Sequence, residues 1–281
     1  MLRVAVPNKG SLAGPAAEML REAGYRHRAD QRELVLLDPD NDTEFFFLRP
    51  RDIATYVGEG QIEVGITGRD LLLDSDADAE EILPLGFGGS TFRYAARPGT
   101  VANLSDLAGK RVATSYAGLV QRDLANRDIE AEVIRLDGAV ETAIRLGVAD
   151  VIADVVSTGT TLQQAGLEVI GDVVLTSEAV LIRRRQAEAN GRIDQLVRRL
   201  NGVIIARQYV MVAYDVTTER LDEACAITPG IESPTVSPLH EEGWVAVEAM
   251  VLRKDTNRAM DELWELGARG ILVTDILACR L

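Results

Sequence analysis

Three short apolar segments in the middle of the chain, RVATS (111–115), AEVIRL (131–136) and DVIADVV (150–156), are each followed by a helical pattern. Parallel strands cannot be joined by tight turns and need a crossover connection, usually a helix. This alternation therefore predicts parallel sheets covered on both faces, with ligands beyond the carboxyl ends of the strands. The N-terminal part continues the pattern. Residues 1–7 predict a buried strand, and Leu12, Ala16, Met19, Leu20 and Ala23 recur at helical spacing up to Gly24. ELVLLD (33–38) and EFFFLRP (44–50) predict two strands joined by a PDND turn. A helix near 51–58, the strand EVGITG (63–68) and a helix from Asp70 follow. The acidic stretch DSDADAEE (74–81) lacks the spacing of a calcium loop and predicts a solvated loop.

From Gln208 the pattern changes. QYVMVAYDV, IESPTVSPL, WVAVEAMVL and GILVTDI predict strands, with one helix marked by Leu221, Ala224 and Cys225 and another by Met260, Leu263 and Trp264. That order, βαββαβ, is the ferredoxin-like split motif. The helical pattern Ile193, Leu196, Val197, Leu200, Val203 would join this module to the body. A chain of 281 residues has room for two or three such domains, at roughly 100–200 residues each.

Composition argues against several functions. No apolar run approaches the ~18 residues a membrane span needs. No basic start, long apolar run and small-residue cleavage site is visible, so a cytoplasmic address is expected. The net charge of −14 argues against a general nucleic-acid or membrane-surface binder. Cys225 and Cys279 are too few for a disulfide framework. With His27 and His240 the only histidines, a histidine-rich metal site and a Ser/His/Asp triad are both poorly supported.

The stretch DVVSTGTTL (154–162) carries the most chemistry. A strand running into Ser157, Thr158, Gly159, Thr160 and Thr161 and then a helix gathers backbone N–H groups and the positive helix end at one point, the recipe for binding phosphate. Gly159 permits close backbone approach and the hydroxyls can donate to phosphate oxygens. Asp154 cannot bind phosphate directly, but it can accept from ribose hydroxyls or hold magnesium through water. A capped helix start is the alternative, since Ser and Thr are common N-caps.

The longer stretch from Glu141 to Leu162 resembles the pattern that marks the ATP phosphoribosyltransferase family. VPNKG (6–10), FFLRPRDI (46–53), GITGRDLL (65–72) and ESPT (232–235) are similar to the same family, so the likeness covers essentially the whole chain. The C-terminal module matches the long, self-regulated form. The resemblance implies an α/β fold, with a two-lobed body like that of periplasmic binding proteins and a C-terminal ferredoxin-like βαββαβ regulatory domain. Lobe I would comprise 1–90 with 185–206, lobe II 91–184 with the phosphoribosyl-donor loop, and the regulatory domain 207–281. A solute receptor is the rival class, and a catalytically silent regulatory subunit a third. Ordinary type I phosphoribosyltransferases show two adjacent acids before a similar loop; here Ala153 stands in the first of those places.

The family's reaction joins N1 of the ATP adenine to the anomeric carbon of phosphoribosyl pyrophosphate, the first step of histidine biosynthesis, with histidine as feedback inhibitor. The resemblance implies magnesium, held mainly by substrate phosphates, and homo-oligomers (dimers or hexamers) without a separate regulatory subunit. On this reading residues 157–161 hold the 5-phosphate and Asp154 the ribose diol. Lys9, Arg49 and Arg69 are candidates for pyrophosphate or triphosphate, and Asp70 and Tyr116 for the nucleotide, with the Tyr116 ring offered to adenine. Each has a bland alternative: surface ion pairs for Arg49 and Arg69, a helix cap for Asp70, packing for Tyr116. Glu141 has no assigned chemistry. Asp215 and Thr235 are candidates for the histidine site, with a plain oligomerisation module as the alternative.

Overall fold

The computed structural model describes every residue except Ala29, Gln31, Ser157, Thr158 and Leu281. From the N-terminus its elements are β1 (Leu2–Pro7), α1 (Ala13–Glu22), β2 (Val35–Asp38), β3 (Thr43–Leu48), α2 (Pro50–Gly58), β4 (Val64–Gly68), α3 (Arg69–Ser75) and β5 (Ala79–Pro84). The chain continues through β6 (Ser90–Ala96), β7 (Arg111–Thr114), α4 (Ala117–Asn126), β8 (Glu132–Arg135), α5 (Thr142–Arg145), β9 (Val151–Val156), α6 (Thr160–Gln164) and β10 (Glu168–Ser177). Then come β11 (Ala179–Arg184), α7 (Gly191–Gln208), β12 (Tyr209–Thr217), α8 (Leu221–Ile227), β13 (Thr235–Pro238), β14 (Trp244–Leu252), α9 (Thr256–Leu266) and β15 (Arg269–Asp275).

The first sheet has the order β2-β3-β1-β4-β11-β5 and the second β10-β6-β9-β7-β8. The sheets are mixed, which corrects the all-parallel expectation. β3, β1 and β4 run parallel, as do β8, β7 and β9, but β2, β11, β5, β6 and β10 join antiparallel. The parallel strands are the ones with helical crossovers; β5, β6, β10 and β11 enter where the chain crosses between the sheets, and β2 forms a hairpin with β3. β11 illustrates this: residues 179–184, expected in the second lobe, pair with β4 and β5 of the first sheet.

The second sheet is apolar on both faces. Phe92, Tyr94, Val112, Val151 and Ala153 pack with Leu119, Val120 and Leu124 of α4. Ala95, Ala113 and Ile152 pack on the other side with Ala143, Ile144 and Leu162 of α5 and α6. Strand alternation then puts Asp154 on the side of Ile152, towards α5 and α6.

The chain divides into two compact units, and the second takes in Asp194–Leu281 together with Glu22–Gly24. Residues 194–206, expected with the first lobe, thus fall in the C-terminal unit. There the sheet order is β13-β14-β12-β15, the ferredoxin-like arrangement, with α8 and α9 over one face. Val210, Val212, Tyr214 and Val216 alternate into that core, so the odd-numbered side chains of β12, Asp215 among them, point to the other face.

Candidate active site

The loops after β1, β3, β4 and β7 converge with Val155 near the end of β9 on a cleft of about 320 Å³ in the first unit. Lys9, Pro50, Asp70, Tyr116, Val155 and Ser177 are among its walls. All five strands end there at their carboxyl termini, where peptide dipoles and helix N-termini face a ligand. Lys9, Asp70 and Tyr116, far apart in sequence, are therefore brought together as expected. Asp154 lies beside them, next to Val155.

Asp70 is buried in the first turn of α3. Its backbone N–H donates to Ser177 Oγ at 3.0 Å, and that hydroxyl donates to Asp70 Oδ1 at 2.8 Å. The Asp70 carboxylate is thus oriented by a residue from β10. Tyr116 precedes α4; its ring meets Phe92 edge-on at 5.3 Å and lies under the Arg51 guanidinium at 4.9 Å. Burial, with the charges of Asp70 and Asp154, pushes the Tyr116 hydroxyl far above its ordinary range, so it stays protonated, with Asp70 as hydrogen-bond partner. One face of the ring is thus already occupied by Arg51.

The Asp154 carboxyl is raised above its usual value, chiefly by burial and further by Glu141 and Asp70. The Val155 N–H, donating to Oδ1 at 2.7 Å, and Arg51 act in the opposite direction. Gly159 ends the strand–helix turn in the left-handed region at φ 75°, and the exposed Thr160 and Thr161 open α6. The first N–H groups of a helix have no intrahelical acceptor, which is the property the phosphate-loop expectation relies on. Ser157 and Thr158 lie outside the described residues.

Two cations depart from the sequence reading. Arg69 is engaged by acidic partners in this structure: its guanidinium grips Glu81 at 2.7 and 2.8 Å, Glu178 at 3.2 Å and the Thr176 carbonyl at 3.3 Å, which speaks against a phosphate role. The Coulombic reason is the proximity of two carboxylates, which also raises the Arg69 pKa. We expect Arg69→Met to lower Tm by several degrees and leave both Michaelis constants unchanged; a selective rise in either would restore the ligand role. Arg49 is exposed at the N-cap of α2. It does not line the cleft but adjoins Pro50, which does. Lys9 also lines a larger cavity of about 690 Å³, with Asn8, Arg21, Arg26, Arg28 and Phe47 among its walls. Asn8 Oδ1 is the buried side-chain atom without a partner among the described residues.

The acidic stretch 74–81 is not a solvated loop. Asp74 bonds Arg51 at 2.6 Å, Glu80 bonds Arg183 at 2.8 Å and Glu81 bonds Arg69. Sequence reasoning missed Arg51, Asp74 and Ser177. A signal existed for Asp74, since Asp70 and Asp74 are four apart and share a helix face. None existed for Ser177. In the second unit, Asp215 sits opposite Arg269 and Ala246, while Thr235 sits opposite Glu248, itself opposite Ala213. Asp215 and Thr235 therefore share one sheet face, where the Arg269 guanidinium stacks on Trp244 at 4.7 Å.

A family model described as ATP phosphoribosyltransferase matches residues 49–202, and one described as HisG, C-terminal domain, matches residues 206–278. The ATP phosphoribosyltransferase of Pseudarthrobacter chlorophenolicus is 63% identical over 284 residues, covering 100% of both chains. That of Streptomyces coelicolor is 61% identical over 285 residues, again with 100% of both covered. Among solved structures, the ATP phosphoribosyl transferase (HisG:HisZ) complex from Thermotoga maritima is similar at 25% identity with a TM-score of 0.63, over 73% of this chain and 98% of that one.

Proposed function

The chain belongs to the ATP phosphoribosyltransferase family, and on that premise we propose that it joins N1 of the ATP adenine to the anomeric carbon of phosphoribosyl pyrophosphate, releasing pyrophosphate. It is a transferase, and the family's place is the first step of histidine biosynthesis. The observation that supports the finer reading is the β9–Gly159–α6 turn, which lies within the family match and follows Val155, a wall of the cleft that Lys9, Asp70 and Tyr116 also line.

Displacement at the anomeric carbon builds positive charge on the ribose ring and negative charge on the departing pyrophosphate. The protein's task is to position two anions and neutralise the leaving group. No covalent nucleophile is required. In this scheme the turn at 157–161 holds the 5-phosphate, Asp154 accepts from the ribose diol, and Lys9 with Arg49 faces the pyrophosphate. Arg26 and Arg28 add positive charge to the cavity beside Lys9, which suits the ATP triphosphate. Among the described residues no group of three or more His, Cys, Asp or Glu is placed to hold a metal. In this reading magnesium arrives on the substrate phosphates, as it commonly does.

The C-terminal module is the proposed histidine site, with Asp215 receiving the ligand's amino or imidazole N–H and Thr235 offering a hydroxyl. We expect Asp215→Ala to keep its activity while the histidine concentration needed for inhibition rises about fivefold, or ~1 kcal/mol for a partly exposed polar contact. Full inhibition at the original concentration would remove Asp215 from the site. Possession of this module is the reason to expect a homo-oligomer without a separate regulatory subunit, unlike the HisG:HisZ complex. No helix among the described residues is long and apolar enough to cross a membrane, and a biosynthetic role fits the cytoplasm.

An ultraviolet assay of adenine alkylation tests the whole reading, with ATP, phosphoribosyl pyrophosphate, magnesium and pyrophosphatase, run with and without histidine. Product that histidine suppresses is expected. Product without suppression would demote the module to assembly, and no product from folded protein would return the receptor and silent-subunit readings.

A further inference from the structure

We propose that Arg51 is a positioning residue of the nucleotide site: tethered by Asp74, it holds the Tyr116 ring against one wall of the cleft. The proposal rests on the reading of Tyr116 as a nucleotide contact. Arg51 Nη1 donates to Asp74 Oδ2 at 2.6 Å, and the same guanidinium lies 4.9 Å from the centre of the Tyr116 ring. The Asp74 side chain is 10% exposed, so its charge is held in a setting where it needs a partner.

Asp74 does a second job. Tyr116, at the N-cap of α4, makes no side-chain cap, and the Leu119 N–H instead donates to Asp74 Oδ1 at 3.1 Å. A carboxylate from α3 thus caps a helix that packs on the other sheet. The approach is close: a Cβ on Gly118 would lie 2.5 Å from the Asp74 carbonyl oxygen. Tyr116 is consequently confined by Phe92 at its edge, Arg51 on one face and Asp70 at its hydroxyl, and it lines the cleft in that setting. Arginine suits this position because a planar guanidinium can stack on a ring while donating from its edge to a carboxylate. A lysine ammonium offers a charge without the plane.

The test is Arg51→Lys, with steady-state kinetics and calorimetric titration of ATP. We expect the ATP Michaelis constant and dissociation constant to rise three- to tenfold, with kcat and the phosphoribosyl pyrophosphate constant within twofold of the parent. Asp74→Asn, which loosens the tether and leaves Arg51 in place, should show the same selectivity with a smaller effect. In a Tyr116→Leu background, Arg51→Lys should add nothing. Unchanged ATP affinity in Arg51→Lys and Asp74→Asn, or an equal loss in the Tyr116→Leu background, would overturn the proposal. An inactive parent enzyme would refute the catalytic reading instead, and the calorimetric comparison would still decide this one.

Discussion

Asp154→Asn is expected to be more stable than the parent protein at neutral pH and nearly inactive. The carboxyl is desolvated and faces Glu141 and Asp70, so its folded-state pKa is raised. Folding therefore favours the protonated form: this group's contribution is most favourable in acid and is lost as pH rises through the raised value. An amide carries no such charge, so the gain in Tm should be present at neutral pH and vanish in acid. The activity cost runs the other way. Losing the charge that receives two ribose hydroxyls removes charge-assisted bonds worth ~1.5–3 kcal/mol each, which predicts a fall of about 10²–10⁴ in kcat/KM for the phosphoribosyl donor. Thermal melts at two pH values and donor kinetics check both halves. Retained activity would sink the ribose assignment, and a lower Tm at neutral pH would sink the argument from burial.

Gly159→Val is expected to raise the Michaelis constant for phosphoribosyl pyrophosphate ten- to a hundredfold, ~1.4–2.7 kcal/mol, with ATP binding little changed. The structure refines the cause. Among the described residues a Cβ at Gly159 would meet only Val156 Cγ1, at 3.9 Å, so none of them blocks it. The difficulty is conformational: φ is 75°, a region that costs other L-residues ~1–2 kcal/mol, and a β-branched side chain is poorly tolerated there. The turn would relax and carry its N–H groups away from the phosphate position. Gly159→Ala should show a milder version. An unchanged donor constant in a well-folded valine variant would dismiss the phosphate-loop assignment.

Much of this site was legible because its pieces are local. The strand predicted at 150–156 is β9 at Val151–Val156, and the helix expected after Gly159 starts at Thr160. Lys9, Asp70 and Tyr116 could be nominated because each follows an apolar run that ends in polar residues, and strand ends of that kind meet in such folds. Arg69 satisfied the same criterion, yet its guanidinium is paired with Glu81 and Glu178. Nothing in GITGRDLL reveals that Glu81 and Glu178 would claim its guanidinium. The acidic run at 74–81 misled for the same reason, since the arginines that neutralise it lie elsewhere in the chain.

By itself the sequence determined the strands and helices of the parallel crossovers, the βαββαβ module and the turn residues of the Asp154–Leu162 stretch, but not β10 and β11. These rest on side-chain periodicity and turn-forming residues, which act over a few positions of chain. Only the tertiary structure decided which sheet receives β11, that Ser177 orients Asp70 from 107 residues away, and that Asp74 caps α4 while tethering Arg51 over Tyr116. Those pairings depend on strand order and on how the two sheets of the first unit meet, and no local pattern encodes either.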